Sequence, residues 1–286
     1  MKIVRTFSTS ANLGPGFDCF GICFDLYNEY SFNVSEIYKL NGFETQYNDP
    51  KNNLIIQSYE KVFELLNKPL SYIELTQLEQ NIPTSRGLGS SASCIVSGIM
   101  IANDVLGNQL SKEDIFQLAS SIEGHPDNVA PLIFGGLTCS FKEADKFYKI
   151  NLNINKQYKF MVCIPPFELS TSKARSVLPK EIKMSDAVFN ISHAVAMIKA
   201  LENGDMELLK KAKQDKLHEP YRLSLIEGSE ILTDYCKNNN CVCMISGAGS
   251  TMLIINNKEL DSVNILSNWK FENVDVNYDG AYVYEK

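Results

Sequence analysis

The stretch that most restricts how this chain can fold runs from Pro83 to Ser93 and reads Pro-Thr-Ser-Arg-Gly-Leu-Gly-Ser-Ser-Ala-Ser. A strand-like segment, Tyr72 to Leu78, precedes it, and the apolar, small-residue run Cys94-Ile-Val-Ser-Gly-Ile-Met-Ile-Ala102 follows. Gly87 and Gly89 open dihedrals that other residues avoid and let a ligand approach the main chain closely. A helix starting near Ser91 then points its unpaired N–H groups and the positive end of its dipole over the loop. Together these features make a phosphate cradle. The hydroxyls of Ser90, Ser91 and Ser93 add donors, or a ligand for a metal ion carried on the phosphates.

Three readings compete for this loop. The plainest is a glycine-serine turn that only caps a buried helix. The second is dinucleotide binding, because Gly87-x-Gly89-x-x-Ala92 formally fits that fingerprint. It requires a second strand with an acidic residue about 20 positions on, yet the helix is still running at Asn103-Asp104. The ordinary P-loop fails too, since no Gly-Lys-Ser/Thr occurs in the chain. What remains is a phosphate loop without the P-loop lysine. Pro-x-x-x-Gly-Leu-Gly-Ser-Ser-Ala resembles the central motif of the GHMP small-molecule kinases.

At 286 residues the chain can bury a sizeable core in one domain or two. The net charge of −7 argues against nucleic acid as a partner. Lys2, Arg5 and Asp18 interrupt the N-terminus without an apolar export segment behind them. The longest uncharged run, Gly87 to Asn103, is too short and too rich in Ser and Gly to span a bilayer. A cytoplasmic protein with no membrane partner is expected. The eight cysteines (19, 23, 94, 139, 163, 236, 241 and 243) mostly sit in apolar runs and read as reduced, buried thiols. The alternation Cys241, Cys243, Ile245 reads as a strand face rather than a zinc site.

Lys2 to Phe7 reads as a strand leading into the turn-rich loop Ser8-Thr-Ser-Ala-Asn-Leu-Gly-Pro-Gly-Phe-Asp18. Strand pattern resumes from Phe20 to Val34, and Leu54 to Leu66 is helical by period. Ser111 caps a helix that ends at Glu123-Gly-His-Pro-Asp-Asn-Val-Ala-Pro131. Strands follow at Gly136–Phe141 and Phe147–Leu152, and the pattern resets within Asn153–Tyr158. That reset divides the chain into residues 1–155 and 156–286. The second part carries a strand at Lys159–Pro166 and the polar stretch Ser170 to Arg175. Helices are expected at Asp186–Glu202, Asp205–Leu217 and Ile226–Asn238, then strands at Cys241–Ser246 and Thr251–Asn257 around Gly247-Ala-Gly249. A helix near Leu260–Ser267 and a strand near Ala281 close the chain. Strands and helices alternate without repeats, which is an α/β or α+β pattern.

Four segments occur in a fixed order: Ser8 to Asp18, the Pro83 loop, Glu123 to Pro131, and Ser246-Gly-Ala-Gly-Ser-Thr251. Together they closely resemble the homoserine kinases within the GHMP superfamily, over nearly the whole chain. The resemblance implies an α+β, two-domain fold, with an N-terminal αβ ATP-binding domain at 1–155 and a C-terminal ferredoxin-like α/β sandwich at 156–286. It implies transfer of the γ-phosphate of ATP to the side-chain hydroxyl of L-homoserine, a step toward threonine. Phosphoryl transfer asks mainly for positioning and charge neutralisation.

On this resemblance Pro83, Thr84, Ser85, Arg86, Gly87, Leu88, Gly89, Ser90, Ser91, Ala92 and Ser93 bind ATP, and Ser91 and Glu123 hold Mg²⁺. A carboxylate at a helix C-terminus sits badly against the dipole, so Glu123 calls for a compensating cation. Arg175 and Arg222 match positions that grip the substrate carboxylate. Asp18 takes the ammonium, while Asn12 and Asn128 orient the hydroxyl and amine. Thr171 joins the Arg175 wall, His125 lines the same pocket, and Gly247 and Gly249 pack beside the phosphate loop and shape the substrate side. The catalytic set is then Asn12, Asp18, Thr171 and Arg175. Ser250 stands where proline is usual, and Asn53 with Leu54 marks the adenine side. The alternatives are a GHMP kinase for another small alcohol and a non-catalytic regulator. Retention of Ser91 and Glu123 argues against the regulator. The partners are L-homoserine and MgATP, with a homodimer expected by analogy and from the frequency of such assemblies.

Overall fold

The computed structural model describes residues 1–258 and 265–286. In chain order the elements are β1 (Lys2–Ala11), β2 (Phe20–Ser35), β3 (Lys39–Asn41), α1 (Leu54–Leu65), β4 (Tyr72–Gln80), α2 (Ser90–Val105), α3 (Lys112–Glu123), α4 (Val129–Phe134), β5 (Leu137–Glu143) and β6 (Lys146–Leu152). They continue as β7 (Lys159–Ile164), α5 (Thr171–Ser176), α6 (Met184–Asn203), α7 (Met206–Ala212), α8 (Glu219–Arg222), α9 (Ser229–Asn238), β8 (Val242–Ile245), β9 (Met252–Asn256), β10 (Lys270–Val274) and β11 (Tyr282–Glu285).

Among the described residues the strands form two sheets. The first runs β11-β1-β2-β4-β3, and β5, carrying β6, pairs with the start of β2. The second is antiparallel in the order β10-β7-β9-β8. Numbered from β7, that order is 4-1-3-2, the ferredoxin-like arrangement. The helix expected between the last two of these strands, Leu260–Ser267, falls largely on 259–264, outside the described residues.

Strand β2 joins the two halves because its inward face changes partway along. Phe20, Ile22, Phe24 and Leu26 pack on Phe160, Val162, Val242, Met244, Leu253 and Ile255 of the second sheet. Tyr30 and Phe32 pack instead on Ile55, Tyr59, Ile95 and Ile99 of α1 and α2. Register irregularities at Phe7/Ser8 and Glu29/Tyr30 lie between the two sets. The opposite face of the second sheet carries Met161, Cys163, Cys241, Cys243, Ile245 and Ile254 against Leu232 and Cys236 of α9. Cys241, Cys243 and Ile245 therefore form one strand face, as the alternation indicated.

The chain leaves the first sheet at Leu152 and enters the second at Lys159. The 156–286 segment does not stay in the second sheet, however. Strand β11 returns to pair with β1, Lys2 opposite Glu285. The expected helix Asp205–Leu217 is shorter, ending at Ala212. Asp215 caps a separate turn there, its Oδ2 accepting from the amides of His218 (2.8 Å) and Glu219 (2.7 Å). That turn, α8, delivers Arg222.

Candidate active site

The Pro83–Gly89 loop and the N-terminus of α2 line a cavity of about 310 Å³ that also reaches both sheets' connecting loops. Helix α2 begins at Ser90 behind Gly89, which sits at φ 73° and gives no side-chain cap. Helices α1 and α3 differ. Asn53 accepts from the amides of Ile55 and Ile56, and Ser111 with Asp114 forms a full capping box. The first amides of α2 are thus left for a ligand, and the dipole favours an anion there. Gly87 and Gly89 are required sterically. A Cβ on Gly87 would lie 2.2 Å from the Ser246 carbonyl oxygen, and one on Gly89 would lie 2.0 Å from Thr9 Oγ1. Ser246 Oγ donates to the Gly87 carbonyl at 2.7 Å, so the glycine loop after β8 is fastened to the phosphate loop.

The loop's own residues divide. Thr84, Ser85, Arg86, Gly87, Gly89, Ser90 and Ser91 line the cavity; Pro83, Leu88, Ala92 and Ser93 do not. Leu88 is 1% exposed and belongs to the core shared with the second sheet. Ser93 is buried with its Oγ 2.7 Å from Thr6 Oγ1, so it offers no donor to phosphate or metal. Arg86 is a brace as well as a wall. Its guanidinium donates to the carbonyls of Thr84, Pro165 and Pro166 and pairs with Glu168 at 3.3 Å.

Ser91 Oγ donates to Glu123 Oε2 at 2.7 Å, bringing the end of α3 to the start of α2. Burial pushes the Glu123 carboxyl above the usual range; the Ser91 hydrogen bond and His125 oppose that rise, and Asp127 adds to it. Among the described residues no lysine or arginine lies within ion-pair distance of Glu123. A hydroxyl and a carboxylate of hard oxygens, lacking a counter-charge beside a phosphate cradle, fit a magnesium ion.

Across the cavity, the Asn12–Asp18 loop is held in an unusual backbone. Asn12, Leu13 and Asp18 have φ of 69°, 40° and 55°. Asn and Asp tolerate this region, while buried Leu13 offsets its strain by packing. Asn12 Nδ2 donates to the Gly247 carbonyl at 2.6 Å, and Asn12 Oδ1 accepts from the Asp18 amide at 2.9 Å. Both ends of the Asn12 amide therefore tie loops together, and Asn12 still lines the cavity with a second Nδ2 hydrogen and a second Oδ1 lone pair to offer. Asp18 receives Arg175 in a two-pronged pair, Nη2 to Oδ1 at 2.8 Å and Nη1 to Oδ2 at 3.0 Å. Burial works against the Arg175 cation, and Asp18 outweighs it, so the guanidinium is held above its ordinary range. Thr171, the first residue of α5, lines the same wall.

Arg222 is 1% exposed. Its Nε donates to the Ala174 carbonyl at 3.1 Å and its Nη1 to the Gly247 carbonyl at 3.4 Å. Both guanidinium groups flank the Phe17 ring, at 5.1 Å for Arg222 and 5.7 Å for Arg175. The His218 ring stacks on Phe17 and donates through Nε2 to the Gly14 carbonyl at 2.8 Å. No carboxylate among the described residues lies within ion-pair distance of Arg222. Burial and the neighbouring Arg175 push its guanidinium below the ordinary range. A buried cation without a carboxylate partner among the described residues, lining a cavity, is a receptor for an anion.

His125 Nδ1 lies 2.7 Å from buried Asp127 Oδ1. Burial alone would lower the imidazole, yet Asp127, Glu123 and Asp18 together raise it. Asn128 accepts from Thr9 Oγ1 at 2.8 Å and lines the cavity beside Gly89. Gly247 lines the cavity, whereas Gly249 turns away, its hydrogen side facing Ile226 and Leu169. Asn53 and Leu54 reach the far end, where Tyr30, Phe43 and Tyr47 make it aromatic. Tyr30 and Phe43 stack at 6.0 Å. Sequence reading missed Phe17, Tyr30 and Phe43, because an isolated aromatic carries no local signal of what it faces.

Residues 53–136 match the model of the GHMP kinases N terminal domain, and 197–275 match that of the GHMP kinases C terminal domain. A curated relative, homoserine kinase of Clostridium beijerinckii, is 39% identical over 257 residues, covering 89% of this chain and 86% of that protein. Homoserine kinase of Clostridium botulinum is 42% identical over 262 residues, 91% of this chain and 87% of the relative. The crystal structure of homoserine kinase from Cytophaga hutchinsonii superposes with a TM-score of 0.86 at 26% identity, covering 99% of this chain and 97% of that one. With the fold, the uncapped helix over a glycine loop and the arginine-lined cavity all in place, the chain belongs to the homoserine kinase family of the GHMP kinases.

Proposed function

We propose that this protein is an ATP-dependent kinase that moves the γ-phosphoryl group of ATP onto the side-chain hydroxyl of L-homoserine, giving ADP and O-phospho-L-homoserine. The observation that carries the reading is buried Arg222. It is a cation without a carboxylate partner among the described residues, in the same cavity as the phosphate cradle. An amino-acid substrate supplies the missing carboxylate, and Arg175 completes a forked grip on it. Asp18 is the counter-charge for the ammonium. Arg175 already orients it in a two-pronged pair.

The nucleotide's phosphates belong over Gly87, Gly89 and the first amides of α2, and its base at the aromatic end. Ser91 and Glu123 would hold magnesium, which when bound neutralises phosphate charge during transfer. The side-chain roles follow the expected set. Asn12, fixed against Gly247, and Asn128, oriented by Thr9, both face the cavity and orient the hydroxyl and amine. No dedicated base is assigned. Asp127 is buried against His125, Asp18 is paired, and a loose phosphoryl-transfer transition state tolerates late loss of the proton. In this reading the enzyme is cytoplasmic, its ligands are two small molecules, and neither nucleic acid nor membrane is a partner.

The test is a coupled ADP assay with homoserine, mevalonate, galactose and shikimate offered separately. Turnover of homoserine above the rest by at least about tenfold in kcat/KM is expected. Equal or greater turnover of an alcohol lacking the amino-acid group would overturn the assignment.

A further inference from the structure

Helix α9 ends in a turn that brings two thiols together, outside the cavity just described. Asn240 sits at φ 59°, and the Cys241 amide donates back to the Cys236 carbonyl at 3.1 Å. This is the closing bond of a Schellman motif, in which the two bonded residues also meet through their side chains. Standard backbone dimensions then hold their Cα atoms within about 7 Å. A disulfide needs roughly 4.4–6.8 Å. The Cys236 thiol is within hydrogen-bond reach of both Cys241 and Cys243, and all three are free thiols.

Any apolar pair could close such a turn, but two observations set this one apart. Cys236 and Cys241 are 3% and 5% exposed, yet they line a second cavity, of about 570 Å³, between α7, α8, α9 and β8. A small molecule can reach them there without unfolding the chain. Lys210, Lys213 and Lys237 stand on the same wall, so a thiolate meets positive charge. The carboxylates lining it, Asp215 and Glu219, are engaged by the backbone amides of His218 and Ile245. The hydrogen bond from Cys236 holds the Cys241 thiol below its ordinary range; burial opposes this and Lys210 assists. Hydrogen bonds to Cys241 and Cys243, with burial, hold Cys236 above it.

We infer that Cys241 and Cys236 form a peroxide-sensitive dithiol, a site of covalent oxidation separate from the kinase chemistry. The Cys241 thiolate attacks one oxygen of hydrogen peroxide. An S–O bond forms and the O–O bond breaks. The other oxygen leaves as hydroxide and becomes water with the proton that Cys241 gave up. Cys236 then attacks the sulfenic sulfur. The S–S bond forms, the S–O bond breaks, and the leaving hydroxyl takes the Cys236 proton as a second water. The two sulfurs together give up two electrons and the peroxide gains them. The cross-link ties the end of α9 to the head of β8, the strand that leads to Ser246 and its bond with the phosphate loop.

The test uses the full chain, reduced, freed of reductant and treated with stoichiometric hydrogen peroxide. Samples are quenched with an alkylating maleimide and mapped by mass spectrometry. Peptides joined through Cys236 and Cys241 are expected, about 2 Da lighter than the two reduced thiols. They should appear at least about tenfold faster than Cys23 or Cys163 is lost, both 0% exposed and outside this cavity. Cys236→Ala should stop the reaction at a sulfenic acid on Cys241, captured by the diketone dimedone, and Cys241→Ala should leave Cys236 unmodified. The wild type alone fixes the pairing and its rate, so a variant that misfolds does not shelter the proposal. A first disulfide between any other two cysteines overturns it, as does loss of Cys23 and Cys163 as fast as of this pair.

Discussion

The two ends of the cavity are made of different material. The phosphate end is main chain: two left-handed glycines, a helix start with no side-chain cap, and carbonyls tied to a neighbouring loop. The substrate end is side chain: Asp18 and Arg175 from segments 157 positions apart, Arg222 under Gly247, and His125 against Asp127. A main-chain site resists an added Cβ but is indifferent to most side-chain chemistry nearby. A side-chain site depends on each charge. Substitutions should therefore separate the two ends, each raising the KM of one ligand.

The largest effect is expected from Arg222→Ala. Removing the guanidinium leaves a substrate carboxylate unpaired in a closed pocket, at a cost on the order of 2–5 kcal/mol in kcat/KM for homoserine. The KM for ATP should barely change. Arg222→Lys should recover part of the loss, because lysine brings the charge without the planar fork. If both KM values rise together in Arg222→Ala, the two ends are not separable and the comparison fails.

Gly87→Ala probes the opposite end. The residue sits at φ 76°, and a Cβ would meet the Ser246 and Gly249 carbonyl oxygens, backbone atoms that cannot swing aside. The left-handed conformation alone costs about 1–2 kcal/mol, so kcat/KM for ATP should fall by roughly tenfold or more. The homoserine KM is the control here. A larger change in it than in the ATP value would mean that Gly87 acts through the glycine loop at Gly247 on the substrate end, and the separation of the two ends would fail.

Asp18→Asn sharpens the comparison within the substrate end. Homoserine carries an ammonium and a carboxylate, and 4-hydroxybutyrate carries the carboxylate alone. Asp18 fixes Arg175, so its loss should cost both substrates something through the carboxylate grip. The ammonium should add a further loss of about tenfold on homoserine only, the size of a charge-assisted hydrogen bond. Equal losses on the two substrates would assign Asp18 to holding Arg175 and nothing else.

This difference in material also explains what the sequence could convey. The Pro83 loop was legible because its function follows from local rules, glycine dihedrals and a helix start, which eleven consecutive residues express. Ser91 and Glu123 were legible as a pair through the family resemblance, and the 2.7 Å contact between them agrees with it. At the substrate end the residues could be named but not their pairings. Nothing near Asn12 reveals that its amide closes on Gly247, because that contact spans 235 positions. The short turn that carries Arg222 was hidden in an apparently continuous helix, since its cap, Asp215, looks like an ordinary surface residue in sequence. Leu88 and Ser93 show the converse. Within a ligand-binding motif some positions serve the core, and burial rather than motif membership separates them.

The smallest effect tests whether the burial of Glu123 at the phosphate end is written into the protein's stability. Burial raises the Glu123 carboxyl above its ordinary value of 4.5, so the folded protein binds that proton more tightly than the unfolded chain. Stability from this group is fully present at pH below the ordinary value. It is lost as pH climbs through the raised one. Glutamine keeps the Ser91 hydrogen bond and has no charge to bury. In metal-free buffer Glu123→Gln should therefore melt about 1–2 °C above the wild type at pH 7, with the gap closing as pH falls toward 4. Millimolar magnesium should raise the wild type and leave the variant unmoved, because only the carboxylate completes the site. A variant less stable than the wild type at pH 7 without metal would mean that the protein already satisfies Glu123. The argument for a cation between Ser91 and Glu123 would then be lost.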